Sequence, residues 1–255
     1  MTYVAPVTSS ASEQQRRQHA ASFGAAAQEY RRGRPSYPRQ AVDWLVPASA
    51  TTVADLGAGT GKFTELLVAA GFDVIAVEPS EAMREQLTEV VPAAAVHDGT
   101  AENIPLADAS VDAIVMAQAW HWVDPALGIP EIARVLRPGG TLGLIWNIRD
   151  SDEPWVAELD EILHHHSRQD LDTAPSLAAP FAHVERAEFR WVHTMGRQSL
   201  FDMIASRSYV IVLPDAERAD LLRNVAELLD SHPDLADHDE IKLPYVTRCT
   251  RAVRA

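Results

Sequence analysis

The chain has 255 residues, enough for one sizeable core with an appendage, and a formal net charge of −14 at neutral pH. That charge repels phosphate backbones and argues against a nucleic-acid partner, and no run approaches the roughly 18 apolar residues a bilayer span requires. The single cysteine, Cys249, excludes an internal disulfide framework.

Residues 1–12, rich in Ser, Thr and Ala, read as loose chain. The first twenty residues carry Glu13, Arg16 and Arg17 and lack the apolar centre of a signal peptide, so a cytoplasmic location is expected. Residues 13–30 predict a helix that Arg34-Pro-Ser-Tyr-Pro38 breaks, and Gln40 to Val46 starts another. The arginines gathered here, from Arg16 to Arg39, read as solvated helix surface.

Val53-Ala-Asp-Leu-Gly57-Ala-Gly59-Thr-Gly61 reads as a buried strand running into a turn with glycine at alternate positions. Without Cβ atoms these residues are expected to leave bare amides and to admit a flat or charged ligand, at the open start of a helix near Lys62. Asp55 adds a carboxylate at the strand's end. A dinucleotide fingerprint requires a third glycine where Lys62 stands, and a P-loop fails at Leu56 and Phe63.

Val74-Ile-Ala-Val-Glu78 is a second strand ending in a carboxylate, placed where a ribose diol is gripped in doubly wound sheets. After a third short apolar run comes His97-Asp-Gly-Thr100-Ala101-Glu102, then a turn and fourth strand from Asp108 to Ala117. Arg134-Val-Leu-Arg-Pro138-Gly-Gly-Thr-Leu-Gly-Leu-Ile145 reads as helix end, stop and fifth strand. Residues 153–167 follow a helical period, 183–192 and 245–253 read as the sixth and seventh strands, and helices are expected at 199–209 and 215–231 between them.

Taken together, the acid and glycine turn, the second-strand acid, the loop from Asp98 and the Leu-Arg-Pro-Gly-Gly phrase resemble the class I S-adenosylmethionine-dependent methyltransferases over roughly residues 23–150. Phe23-Gly, Tyr30, Arg34-Pro35-x-Tyr37-Pro38, Gln118-Ala-Trp-His121-Trp122-Val-Asp124 and Trp146-Asn147-x-Arg149-Asp150 are similar to a subset related to trans-aconitate methyltransferases. The resemblance implies an α/β fold: a doubly wound, mainly parallel seven-stranded sheet whose last strand is antiparallel, with a helical lid. It divides the chain into N-terminal helices and cofactor lid (1–50), core (51–195), helical insert or acceptor lid (196–244) and final strand (245–255). A dimer-forming decoration is the alternative reading of the insert, which makes a homodimer a second expectation.

The same resemblance implies S-adenosyl-L-methionine as cofactor and S-adenosyl-L-homocysteine as product. Its expected contacts are Tyr30, Asp55, Gly57, Gly59, Gly61, Glu78, Pro79, Met83, Thr100, Ala101, Glu102, Gln118 and Ala119. Arg34, Trp122, Asn147 and Arg149 are the candidate contacts to a small-molecule acceptor, which includes the option of a carboxylate-bearing metabolite methylated on O, N or C. His121, with an ordinary pKa near neutrality, is the candidate general base. Taken alone, Met83 reads as core, and Arg149 reads equally as a partner of Asp150. Three neighbouring helix positions, His164 to His166, point about 100° apart and cannot converge on a metal, so no metal is expected. Two other classes stay open: a cofactor-binding sensor without turnover, and a nicotinamide oxidoreductase, which Lys62 disfavours.

Overall fold

The computed structural model describes residues 34–164, 177, 179–236 and 238–255. The expected helix at 13–30, Tyr30, His165 and His166 lie outside these residues. The strands are β1 (Thr52–Leu56), β2 (Asp73–Val77), β3 (Ala95–His97), β4 (Val111–Ala117), β5 (Leu136–Arg149), β6 (Phe181–Gly196) and β7 (Glu240–Arg254). They form one sheet in the order β3-β2-β1-β4-β5-β7-β6. The first five are parallel, and β7 runs antiparallel between β5 and β6, as the doubly wound topology requires.

The helices are α1 (Arg39–Leu45), α2 (Lys62–Ala69), α3 (Glu81–Val90), α4 (Pro125–Val135), α5 (Pro154–His164), α6 (Arg197–Ala205), α7 (Ser208–Ile211) and α8 (Asp215–Ser231). Helices on both faces bury the parallel strands, which is why those strands read as unbroken apolar runs. On one face Val42 and Leu45 of α1 and Phe63 and Leu67 of α2 pack on Val53, Val115 and Ile145. On the other, Ile129 and Ile132 of α4 pack on Leu56, Ile114 and Leu142. Asp112 near the start of β4 accepts the amides of Thr51 and Thr52 at 2.9 and 3.0 Å. Those two bonds hold its carboxyl below the usual range and lock the lower ends of β1 and β4 together.

The last two strands are longer than their apolar pattern predicts. β5 pairs with β7 only as far as Arg149 opposite Tyr245, whereas β6 stays paired to β7 out to Gly196 opposite Glu240. The extra length is a two-stranded ribbon that projects past the carboxyl end of β5, the edge where ligands bind in such sheets. It carries α6 to α8. Leu200 and Met203 of α6, Leu221 and Val225 of α8, Trp155 and Leu159 of α5, and Ile241 and Leu243 of the ribbon share a separate apolar cluster. The helix expected at 199–209 is interrupted, because Arg207 adopts an extended backbone (φ −71°, ψ 134°) between α6 and α7.

Candidate active site

β1 and β4 are neighbours from which the chain moves off in opposite directions, to β2 on one side and β5 on the other. This is the switch point at which α/β sheets bind ligands. Gly57 beyond β1 and Gln118 beyond β4 line an open cleft there.

The glycine turn does not present bare amides. Gly57 and Ala58 donate to the Val77 carbonyl at 2.8 and 3.3 Å, and Gly61 donates to Ala58 at 3.0 Å; Gly59 donates to Glu78 Oε2 at 2.9 Å. The turn curls onto the end of β2, so each of these donors is satisfied within the chain. What the glycines supply is backbone freedom, with φ of 68°, 56° and 84° at Gly57, Gly59 and Gly61. A Cβ on Gly57 would lie 2.8 Å from that of Ala119, and one on Gly61 2.9 Å from Leu87 Cγ. Gly59 differs, since a Cβ there would meet nothing nearer than Met83 Sδ at 3.9 Å. Of the three, it is the position a ligand can approach.

Asp55 lies beneath this turn and outside the cleft lining. It is fully buried, accepts Thr64 Oγ1 at 2.7 Å, and has no partner for its Oδ1. Burial pushes its pKa up to about 7, outweighing the Thr64 bond. Glu78 is also buried, and burial raises its pKa against the pull of two amide bonds and Arg84. Its Oε1 accepts Ser80 N and its Oε2 accepts Gly59 N, each at 2.9 Å, so each oxygen keeps acceptor capacity. Arg84 fixes the carbonyls of Glu78 and Pro79 and pairs with Asp98.

Thr100 and Asn103 form a small bridge, with Ala101 buried between them. Glu102 turns its Oε1 to the amide of Asp124, at 2.9 Å. Asp124 in turn caps α4 through Ala126 N, with Pro125 as its first helical residue. The loop is pinned further by Glu131 on Ile104 N and Arg134 on Ile104 O. Glu78, Pro79, Met83 and Thr100 to Glu102 therefore gather on the β2 and β3 side of Gly59, outside the cleft itself.

Within the cleft stand Arg34, Lys62 and Arg207, the aromatic rings of Tyr37, Phe63 and Tyr245, and Gln118 and Asn147. Gln118 holds a positive φ of 56°, costly for a residue with a Cβ. Its amide donates to Ile145 O and its side chain to Asn147 O. Asn147 is engaged at both ends: Nδ2 donates to Ser36 O at 2.8 Å and Oδ1 accepts Thr247 Oγ1 at 2.6 Å. It tethers the segment bearing Arg34 and keeps one N–H and one lone pair beyond these two bonds.

Arg149 departs from expectation. Its guanidinium pairs with Asp160, which also accepts Ser151, while Asp150 pairs with Arg190. It lines no part of the cleft. His121 and Trp122 belong to a 3-10 turn, Trp120–Trp122, with ring centroids 4.8 Å apart, and neither lines the cleft. His121 as a residue has open surface, yet protein mass crowds its imidazole, and that crowding with the Arg34 cation lowers its pKa to about 4. Arg207 was not among the sequence candidates; 173 positions separate it from Arg34, and no motif links them.

A family profile described as a methyltransferase domain matches residues 54–144. An uncharacterized methyltransferase of Mycobacterium tuberculosis is 51% identical over 240 residues, covering 94% of this chain and 98% of its own. The chain belongs to the class I methyltransferase family. A methyltransferase-like protein of Schizosaccharomyces pombe is 32% identical over 241 residues, covering 89% of this chain and 93% of its own. Among solved structures, a putative type II methyltransferase from Anaeromyxobacter dehalogenans superposes with a TM-score of 0.62 at 27% identity, covering 87% of this chain and 97% of that one. The profile match stops at residue 144, so Asn147, Arg207 and Tyr245 of this methyltransferase lie outside the part the family profile describes.

Proposed function

We propose that this protein transfers the methyl group of S-adenosylmethionine to a small-molecule acceptor, on oxygen, nitrogen or carbon, and releases S-adenosylhomocysteine. The observation that carries the reading is the Gly59–Glu78 pair, a buried carboxylate with acceptor capacity on both oxygens beside a glycine over which a ligand has room. When bound, the cofactor supplies a methyl group activated by a positively charged sulfur, which departs by in-line displacement.

In this reading Glu78 accepts the ribose hydroxyls, and Pro79, Met83, Thr100, Ala101 and Glu102 flank the adenine. Gln118 and Ala119 follow β4 and hold the cofactor's amine through backbone oxygen, and Tyr30 meets its carboxylate. The glycine turn sets the floor, with Asp55 below it on Thr64. The rings of Tyr37, Phe63 and Tyr245 give the cleft an apolar wall against which bound ligands displace water. Transfer then depends on positioning rather than on strong proton removal, because His121 is neutral at pH 7 and, with a pKa of about 4, a weak base.

The test has two arms. Calorimetric titration with S-adenosylhomocysteine and with NAD separates a methyltransferase from a nicotinamide enzyme, and methyl-labelled S-adenosylmethionine incubated with a metabolite extract reports turnover. Failure of both S-adenosyl compounds to bind at millimolar concentration overturns the reading. Tight binding with no labelled product leaves a sensor in its place.

A further inference from the structure

Among the described residues the cleft is lined by Arg34, Lys62 and Arg207 and by no carboxylate, in a chain whose net charge is −14. Acidic residues abound elsewhere, so this concentration of positive charge is local and runs against the composition. The acids at the same end of β5 are already engaged, Asp160 by Arg149 and Ser151 and Asp150 by Arg190. The side chain of Arg207 has no hydrogen bond or ion pair among the described residues, and its Nε is sealed from solvent without a partner. Loss of water and the neighbouring Arg34 and Arg149 lower its pKa to about 10, which leaves it charged at neutrality. A cation held out of water without a counter-charge is unfavourable in the free protein. An anion entering the cleft would relieve that cost.

The cofactor does not supply enough negative charge. It brings one carboxylate against an amine and a sulfonium, so its arrival adds to the positive total.

We propose that Arg207 anchors an oxyanion, a carboxylate or a phosphate, on the methyl acceptor, and that the acceptor is an anionic metabolite. This rests on the methyl-transfer reading and deepens it. Arg207 stands at the break between α6 and α7, in the insert borne by the ribbon, so the insert contributes the acceptor's anchor. The planar guanidinium fork suits either oxyanion by paired hydrogen bonds. The unpartnered Arg207 cation disfavours a cationic amine as acceptor.

The experiment uses the full chain saturated with S-adenosylhomocysteine and titrates malonate, succinate and inorganic phosphate by calorimetry, against wild type, Arg207→Met and Arg207→Lys. Saturable binding of at least one anion to wild type, weakened tenfold or more in Arg207→Met and less in Arg207→Lys, is expected; which anion binds tells carboxylate from phosphate. S-adenosylhomocysteine affinity is expected to stay within threefold in both variants. Without ligand, Arg207→Met is expected to melt at the same temperature as wild type or higher, since it removes an unpaired cation. The proposal is overturned if no anion binds the wild-type complex, if Arg207→Met binds anions as well as wild type, or if its melting temperature falls. It is overturned equally if Arg207→Met loses tenfold in S-adenosylhomocysteine affinity, which would give the arginine to the cofactor's carboxylate. Failure of S-adenosylhomocysteine to bind wild type is a separate result and overturns the methyl-transfer reading first.

Discussion

The carboxylate of Glu78 accepts the amide of Gly59 at 2.9 Å. The acid at the end of β2 and the turn at the end of β1 are thereby fastened to each other within the protein. Ordering them costs nothing at the moment of binding, which favours affinity by preorganisation.

Replacing Glu78 by glutamine keeps the shape and removes the charge. Hydrogen bonds to a charged group contribute about 1.5–3 kcal/mol each, and one side-chain oxygen must then serve where two did. The affinity of Glu78→Gln for S-adenosylhomocysteine is expected to fall about 10–100-fold, measured by calorimetry. Wild-type affinity would remove Glu78 from the cofactor site.

Two glycines two positions apart should respond differently to alanine. Both Gly59→Ala and Gly61→Ala carry left-handed backbone strain of about 1–2 kcal/mol. Gly61→Ala adds overlap with Leu87, which costs about 1–3 kcal/mol more. Gly61→Ala is therefore expected to melt lower than Gly59→Ala. Gly59→Ala, whose new methyl enters open space, is expected to lose about tenfold or more in cofactor affinity. A Gly59→Ala protein that binds normally would show that the space above this residue belongs to something else.

Asp55 makes stability pH-dependent. Its pKa is about 7 in the folded chain against 3.8 when unperturbed, so between those values the folded state keeps a proton that the unfolded state has released. Its contribution is fully present below the lower value and is lost as pH rises through the upper one. Asp55→Asn never charges and is expected to gain melting temperature over wild type as pH rises from about 4 to about 8. For a domain of this size each kcal/mol corresponds to about 2–4 °C. A constant difference across that range would show that burial does not hold the proton.

His121 titrates too low to limit turnover near neutrality. With a pKa of about 4, its imidazole is neutral throughout the usual assay range, and kcat is expected to show no ionisation between about pH 6 and pH 8. His121→Ala is expected to lower kcat less than about tenfold, since a strong general base contributes roughly 10²–10⁴. A kcat limb near pH 6.5 that vanishes in His121→Ala would restore the residue as base.

The parallel half of the fold was legible because strands buried on both faces are written as short apolar runs, as at Val53 to Leu56 and Val111 to Ala117. The ends of β6 and β7 were not. Residues such as Met195 and Ile241 bury against the insert rather than the sheet, so their pattern says nothing about strand length. The glycine turn was located correctly but for a partly wrong reason, since the amides bond to Val77 and Glu78 and the missing Cβ atoms mostly admit Ala119 and Leu87. The pairing of Arg149 with Asp160, the bonds of Asn147 to Ser36 and Thr247 and the positive φ of Gln118 depend on contacts between distant segments. No local spacing encodes them.

Because the ribbon outruns β5, the helices that bring Arg207 are mounted on a lever separate from the seven-stranded platform. Their length and sequence can diverge while the register from Thr141–Val253 to Arg149–Tyr245 stays intact. Exchanging residues 197–239 between relatives should thus transplant a taste for one acceptor without disturbing the cofactor's seat.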